Sequence, residues 1–358
     1  MGRTLGELEK RYPQNRIVTD ATGKGSVMVY LPRFCMGDVI DGAGDAPHPA
    51  FVVDGTVLDG IYISKFQNVI VDGLAYSLPD RDPATGIDFD GSVQASSAKG
   101  AGWHLMTAME WGAVSLWCLK KSWLPYGNND LGKDVREKDF VAKISYRDEE
   151  KGIFRVATGT GPVTWSHNKS ADGIWDLNGN VWEWNGGARL VHGEVQVLPH
   201  HGCMMDANAQ SMASDAWRAI DGKTGEFILP NGKGTTESSV KLDMIDGTFV
   251  YVTGEAQDLY AHARFCDFAA VRIADGVCER AKMLLAALGL LPVGDPANYE
   301  GVSLYANNGS SERMIFRGGR FGQGLNAGIF KTCIDDPRTY KGAAVGFRSA
   351  FYELPSQN

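Results

Sequence analysis

The sequence predicts an α+β protein made of short strands, two main helices and much ordered loop. Three observations carry this. Glycine occurs 44 times beside 9 tryptophans, 12 tyrosines and 15 phenylalanines, a mixture of turn formers and strand-favouring aromatics foreign to a helical bundle. Apolar residues make up 44% of the 358 positions and charged residues 22%, enough for a real core. Only two stretches carry a clear helical pattern, and no repeat, low-complexity segment or flexible linker divides the chain.

Residues 1–24 are polar and charged and read as an N-terminal arm or short helix followed by a loop. From there residues 25–358 read as one large domain. "VMVYLPRFCMG" (27–37) is a β-branched and aromatic run that predicts a strand, and "GIYISKFQNVIV" (60–71) predicts another by its alternation. The best helix of the first half is "HLMTAMEWGAVSLWCLKK". In it Thr107 and Glu110 form a capping box, Trp111, Val114 and Cys118 share a face, and Lys120 and Lys121 lie where the helix dipole favours cations. The second helix is "GVCERAKMLLAALGLL" (276–291), which ends before Pro292.

Charge and cysteine usage narrow the function classes. A net charge of −8 argues against nucleic acid as partner, because phosphate recognition needs a basic face. No run approaches the roughly 18 apolar residues of a membrane span. The first residues lack the apolar core of a signal peptide, so export by the general secretory route is not expected. The six cysteines are scattered without a CxxC and read as free thiols.

The densest motif is "GIWDLNGNVWEWNGG" (173–187). Asn178-Gly179 favours a tight turn with positive φ, and Trp182 and Trp184 would share one strand face with Glu183 on the other. This segment resembles the "GLYDMxGNVWEW" signature of the formylglycine-generating-enzyme-like (sulfatase-modifying factor) superfamily, a branch of the C-type lectin fold. Other pieces resemble that family's motifs in its order: "VMVYLPRFCMGD", "GIYISKFQNVIV", "GWHLMTAMEWGAVSLW", "LPYGNN", "FRGGRF" and "VGFRSAF". The resemblance runs from about Val27 to Phe351. It implies a C-type lectin fold in which Trp175, Trp182, Trp184 and Arg348 are scaffold. It also implies that Asn180, Glu183 and the Val181 carbonyl could offer oxygens to a calcium ion, as some members do.

Two function classes follow. The family's oxidases need a cysteine pair shortly after RGG, and residues 318–324 read Gly-Gly-Arg-Phe-Gly-Gln-Gly. His200-His201 with Cys203 is the one histidine cluster. Adjacent histidines on extended backbone point opposite ways, which disfavours a shared metal. The expectation is therefore no catalytic residue, no metal and no cofactor. The C-terminal stretch more closely resembles the variable proteins of diversity-generating retroelements, whose templates read like "RGGNWNNGxNAGVFxLNLNNxxSNxNNNIGFR". Gly324, Asn326-Ala327-Gly328, Phe330 and Gly346-Phe347-Arg348 match the frame.

The resemblance then implies a hypervariable ligand-binding surface at Arg320, Phe321, Gly322, Gln323, Leu325, Lys331, Cys333, Asp335, Asp336, Tyr340, Gly342, Ala343 and Ala344. Randomising both adenines of AAC reaches every residue of that set except Gln323 and Lys331, which need another codon such as AAA or AAG. The expected partner is a protein or glycan on a target cell surface, with no nucleic acid and no membrane insertion. The alternatives are a metal-dependent enzyme of the sulfatase-modifying-factor type acting on a small thiol or amine, and a fixed lectin-like structural protein.

Overall fold

In the computed structural model, which describes residues 4–137 and 139–353, the α+β architecture comprises one large mixed sheet, a five-stranded antiparallel sheet and three two-stranded ribbons. The small sheet runs in the order Arg16–Thr19, Gly25–Pro32, Gly60–Ser64, Ser349–Phe351 and Trp103–Leu105, so the C-terminal strand lies between two strands from the first third of the chain. The segment expected as an arm is part of this body. Thr4 caps a helix, Leu5–Arg11, that buries Leu8, and Arg16–Thr19 forms the sheet edge.

Both helices form, and their ends follow local chemistry. In the capping box the Thr107 hydroxyl accepts from Glu110 N at 3.1 Å and the Glu110 carboxylate accepts from Thr107 N at 2.8 Å, which starts the Ala108–Lys120 helix. Trp111, Val114 and Cys118 are buried as expected, but so are Gly112, Ala113 and Ser115, because this helix is covered on several sides. The second helix is shorter than its pattern, Glu279–Ala287. It ends at Gly289, whose φ of +63° is left-handed. Buried Arg317 donates to the carbonyls of Leu288 at 2.6 Å and Gly289 at 2.8 Å, so a cation satisfies the helix's last acceptors.

The two expected strands are both shorter than their sequence patterns. The first stops at Pro32, and Met36–Val39 is a single helical turn. The second breaks after Ser64 and resumes at Val69–Val71. Between them Lys65, Gln67 and Asn68 are buried and turned into a polar network, which apolar alternation cannot reveal. Lys65 Nζ donates to the carbonyls of Ala171 and Gly173 at 2.7 and 2.8 Å. Gln67 Nε2 donates to Val181 O at 2.9 Å and Glu183 Oε1 at 3.0 Å.

Segments far apart in sequence meet at this network. Asn180 N donates to Asn128 O, Asn178 Nδ2 to Pro125 O, and Gly179 N to Gly318 O. Gly179 has φ +76°, and a Cβ there would stand 2.1 Å from Asn128 O, so only glycine allows the approach. At the centre Arg348 forms a bidentate pair with Glu183 (Nε–Oε2 2.5 Å, Nη2–Oε1 2.7 Å) and donates also to Ser64 O and Trp175 O, each at 3.0 Å. Both side chains are at most 1% exposed. The oxygens that could have served calcium are engaged by protein donors: Asn180 Oδ1 by Asn128 Nδ2 and Val156 N, Val181 O by Gln67, and Glu183 by Arg348 and Gln67.

The large sheet carries Trp182–Val191 at its middle, antiparallel to Arg313–Gly318 and parallel to Val345–Phe347. Gly328–Ile334 pairs with Arg313–Gly318, and Ser303–Ala306 then adds in parallel. Trp184 is fully buried, edge-on to Phe89 and Phe316, with its indole N–H on Ile87 O. Trp184→Ala is therefore expected to cost about 3–5 kcal/mol by cavity formation. Arg348→Leu is expected to cost about as much by stranding a buried carboxylate. Urea unfolding checks both, and a loss under about 1 kcal/mol for either would contradict this packing.

Candidate ligand-binding cleft

One face of the large sheet is a row of aromatic and soft side chains. Cross-strand register places Trp184 opposite Phe316, Phe316 opposite Cys333, and Cys333 beside Tyr305 on four neighbouring strands. Glu183, Arg317 and Thr332 alternate with them and point to the other face. Above the row opens a cleft of about 230 Å³, lined by Trp182, Tyr305, Phe316 and Val345 from the frame and by Arg320, Gln323, Cys333, Asp336, Tyr340 and Ala344. Trp182 and Phe316 meet edge to face at 5.0 Å, and the Tyr340 ring stacks over Phe316 at 6.5 Å.

Six of the thirteen residues expected at the binding surface thus line one cleft. Gly322, Leu325 and Ala343 are exposed but lie outside the lining, and Asp335 is partly buried. Phe321, Lys331 and Gly342 depart from the expectation of a wholly exposed face, because all three are buried. Phe321 is 1% exposed, and its N–H donates to Asn180 O. Lys331 is 0% exposed. Its ammonium donates to Ser303 Oγ and to Asn326 Oδ1, and lies 4.1 Å from the centre of the Tyr305 ring. Every residue of Gly328–Ile334 is buried, so alternation along this strand does not separate inside from outside. Cys333 is buried as well, but it forms part of the cleft floor.

Two anchors hold the loops that carry the site. The 319–326 turn hangs on the centre of the fold: Gly324 N donates to Asn129 O, and Gln323 Oε1 accepts from Arg320 N at 2.8 Å. The 335–344 loop is pinned by Arg338, which no sequence pattern singles out. Its buried guanidinium donates to both Glu312 oxygens at 2.7 and 2.9 Å, to Asp90 at 2.6 Å and to Gln210 O. Arg189 completes the buried cluster on Glu312 at 2.8 Å. The cleft aromatics Trp182 and Phe316 also lie outside the set of site residues that the sequence predicts. The only signal for them is strand alternation, which reads equally well as core.

The electrostatics are those of a partly dry recess whose lining carries one cation, Arg320, and one carboxyl, Asp336. Burial and then the neighbouring Asp335 raise the Asp336 carboxyl to about 6. Burial also raises the Cys333 thiol far above its ordinary range, so it stays protonated and is a poor nucleophile. Burial and Asp336 push the Tyr340 hydroxyl up. These groups offer hydrogen bonds, apolar faces and one titrating carboxyl. The chain matches no protein-family model and no curated protein.

A carboxyl whose folded pKa lies above its unfolded value of about 3.9 binds its proton more tightly in the fold. Its contribution to stability therefore falls as pH rises from about 4 to about 6 and stays lost above that. Asp336→Asn should accordingly raise Tm at pH 7.5 relative to the parent, by more than at pH 4. Thermal melts at the two pH values check this, and an equal or opposite shift would contradict the placement of Asp336.

Proposed function

We propose that the chain is a non-enzymatic binding protein with a C-type lectin fold of the formylglycine-generating-enzyme-like kind, whose cleft is rewritten by a diversity-generating retroelement. The observation that carries this reading is the convergence of Arg320, Gln323, Cys333, Asp336, Tyr340 and Ala344 on one cleft, although they span 25 positions of sequence. Each falls where retroelement templates are rich in asparagine. The template-matching frame behaves oppositely: Arg317, Gly318, Gly319, Gly346, Phe347 and Arg348 are all buried. A Cβ on Gly346 would meet Ala84 O at 2.4 Å, so that position tolerates no side chain. Changeable loops on a rigid scaffold are the logic of antibody recognition.

An oxidase of the same superfamily is disfavoured by the residues themselves. No cysteine follows Gly319 within the turn, and Cys333 is the one cysteine in the cleft lining. The aromatic floor suits a protein or glycan surface, since Trp and Tyr supply large rigid contact areas at low entropic cost. A phage tail or a microbial surface is the setting this reading implies.

The test is genetic. The gene should be followed closely by a near-copy of the DNA encoding about residues 317–348, with a reverse-transcriptase gene nearby. Differences between the copies should fall at template adenines, concentrated in codons 320–325, 331–336 and 340–344, and spare those of Gly318, Gly319, Asn326, Gly328, Gly346 and Phe347. Sequencing the flanking DNA decides it. An absent repeat, or differences spread over all four template bases, would leave a fixed lectin-like binding protein instead.

A further inference from the structure

The cleft holds one charge without a partner. The half-buried Asp336 carboxylate lines it. Among the described residues no group donates to that carboxylate and no base forms an ion pair with it. Arg313 acts on it only from a distance, because its donors go to Glu312 O at 2.7 Å and Ser310 Oγ at 2.8 Å. Arg320, the cation of the lining, turns to its own neighbour: Nη1 donates to Phe321 O at 3.1 Å, and the guanidinium lies 5.3 Å from the centre of that ring. Burial, and then repulsion from Asp335, leave Asp336 under-compensated, with its pKa at about 6.

The floor beside this carboxylate is aromatic. Trp182 and Phe316, both outside the expected variable set, meet edge to face at 5.0 Å, and the exposed Tyr340 ring lies nearly parallel to Phe316, at 22°. Ring faces carry the negative end of a quadrupole, which attracts cations and repels anions. The fold already uses one such ring, since the Lys331 ammonium lies 4.1 Å from the centre of Tyr305. Phe265 stacks on Tyr305 at 5.0 Å and is 61% exposed, so the aromatic row runs out of the cleft to the edge of the sheet. An open row of this kind suits a macromolecular surface better than an enclosed small molecule.

We propose that the cleft seats a basic side chain, lysine or arginine, of a protein partner, its charge on Asp336 and its stem or plane against Trp182, Phe316 and Tyr340. This deepens the binding reading above and rests on it. Size allows the seat: the cleft of about 230 Å³ exceeds the roughly 150 Å³ that holds benzene. A basic group supplies the donors that Asp336 lacks, and both charges then lose water in exchange for a charge-assisted bond. A neutral glycan would leave that carboxylate without a counter-charge, and an acidic ligand would meet both the carboxylate and the negative ring faces.

The test titrates the full chain at pH 7.5, where Asp336 is ionised, and follows binding by NMR. The probes are Nα-acetyl-arginine amide, its neutral isostere Nα-acetyl-citrulline amide, Nα-acetyl-glutamate amide and methyl glucoside. The arginine probe should bind about tenfold more tightly than the citrulline probe, the value of a hydrogen bond to a charged group. The glutamate probe and the glucoside should not bind. Asp336→Asn, which removes an uncompensated charge and should fold, is expected to abolish the preference for arginine over citrulline. Tyr340→Ala should weaken the arginine probe about two- to fivefold, the scale of an exposed cation–π contact. Equal binding of arginine and citrulline, no arginine binding, binding of the glucoside instead, or an unchanged preference in Asp336→Asn would overturn the proposal. The template repeat is scored separately, so its presence beside a failed titration would remove this inference and leave the binding reading standing.

Discussion

The rest of the structure depends on a guanidinium and a carboxylate held out of water. Arg348 and Glu183 are both essentially unexposed, and their two hydrogen bonds tie the last strands of the chain to the middle of the large sheet. Removing two ions from water offsets much of their mutual attraction, so the pair's main consequence is geometric. With its remaining donors Arg348 also fixes Ser64 O and Trp175 O, and Gln67 bridges Glu183 to the Asn180 turn. The two sheets, the 173–187 motif and the C-terminal segment thus share one anchor. A shift of any of them would strand a buried charge.

Under the proposed reading, the same anchor lets the cleft change without the fold changing. Along the strands that build it, side chains alternate between the polar centre and the aromatic row. Glu183 and Arg317 face one way, and Trp184 and Phe316 face the other. The loops over the aromatic row are pinned by backbone bonds to Asn129 and Asn180 and by the buried Arg338–Glu312 pair, with one lining side chain, Gln323, closing the 319–326 turn on Arg320 N. Arg320 bonds mainly to its own neighbours, and Tyr340 is 39% exposed. Under the proposed reading, that division between pinned backbone and free side chains is what permits wholesale rewriting.

How much of this is legible in the sequence varies with the physics of each segment. The Thr107–Glu110 box locates a helix start to the residue, because capping is a local bond between neighbours. The facing of Trp182, Glu183 and Trp184 follows from the two-residue strand period. Burial of Lys331 is not legible, because it depends on which strands and loops cover both faces of Gly328–Ile334, and that of Phe321 is not, because it depends on the 319–326 turn folding against Asn180. Lys331 enters the interior on Ser303 and Asn326, and nothing in its immediate sequence announces those partners. Arg338 is hidden for the same reason, since Glu312 and Asp90 reach it through tertiary contacts. The left-handed turn at His200-His201 carries no glycine or asparagine to mark it. The sequence pattern there predicts extended backbone, and the histidines' separation arises from the turn instead.

The most direct measurement is the unfolding free energy of one variant that replaces Arg320, Leu325, Tyr340 and Ala344 together. Substitutions at exposed and half-exposed positions that hold no loop each stay within about 0.5 kcal/mol, so the four together should change stability by no more than about 2 kcal/mol and leave a cooperative transition. Loss of cooperative unfolding, or destabilisation well beyond that, would mean that the cleft side chains hold the fold together, and the separation of frame from site would be wrong.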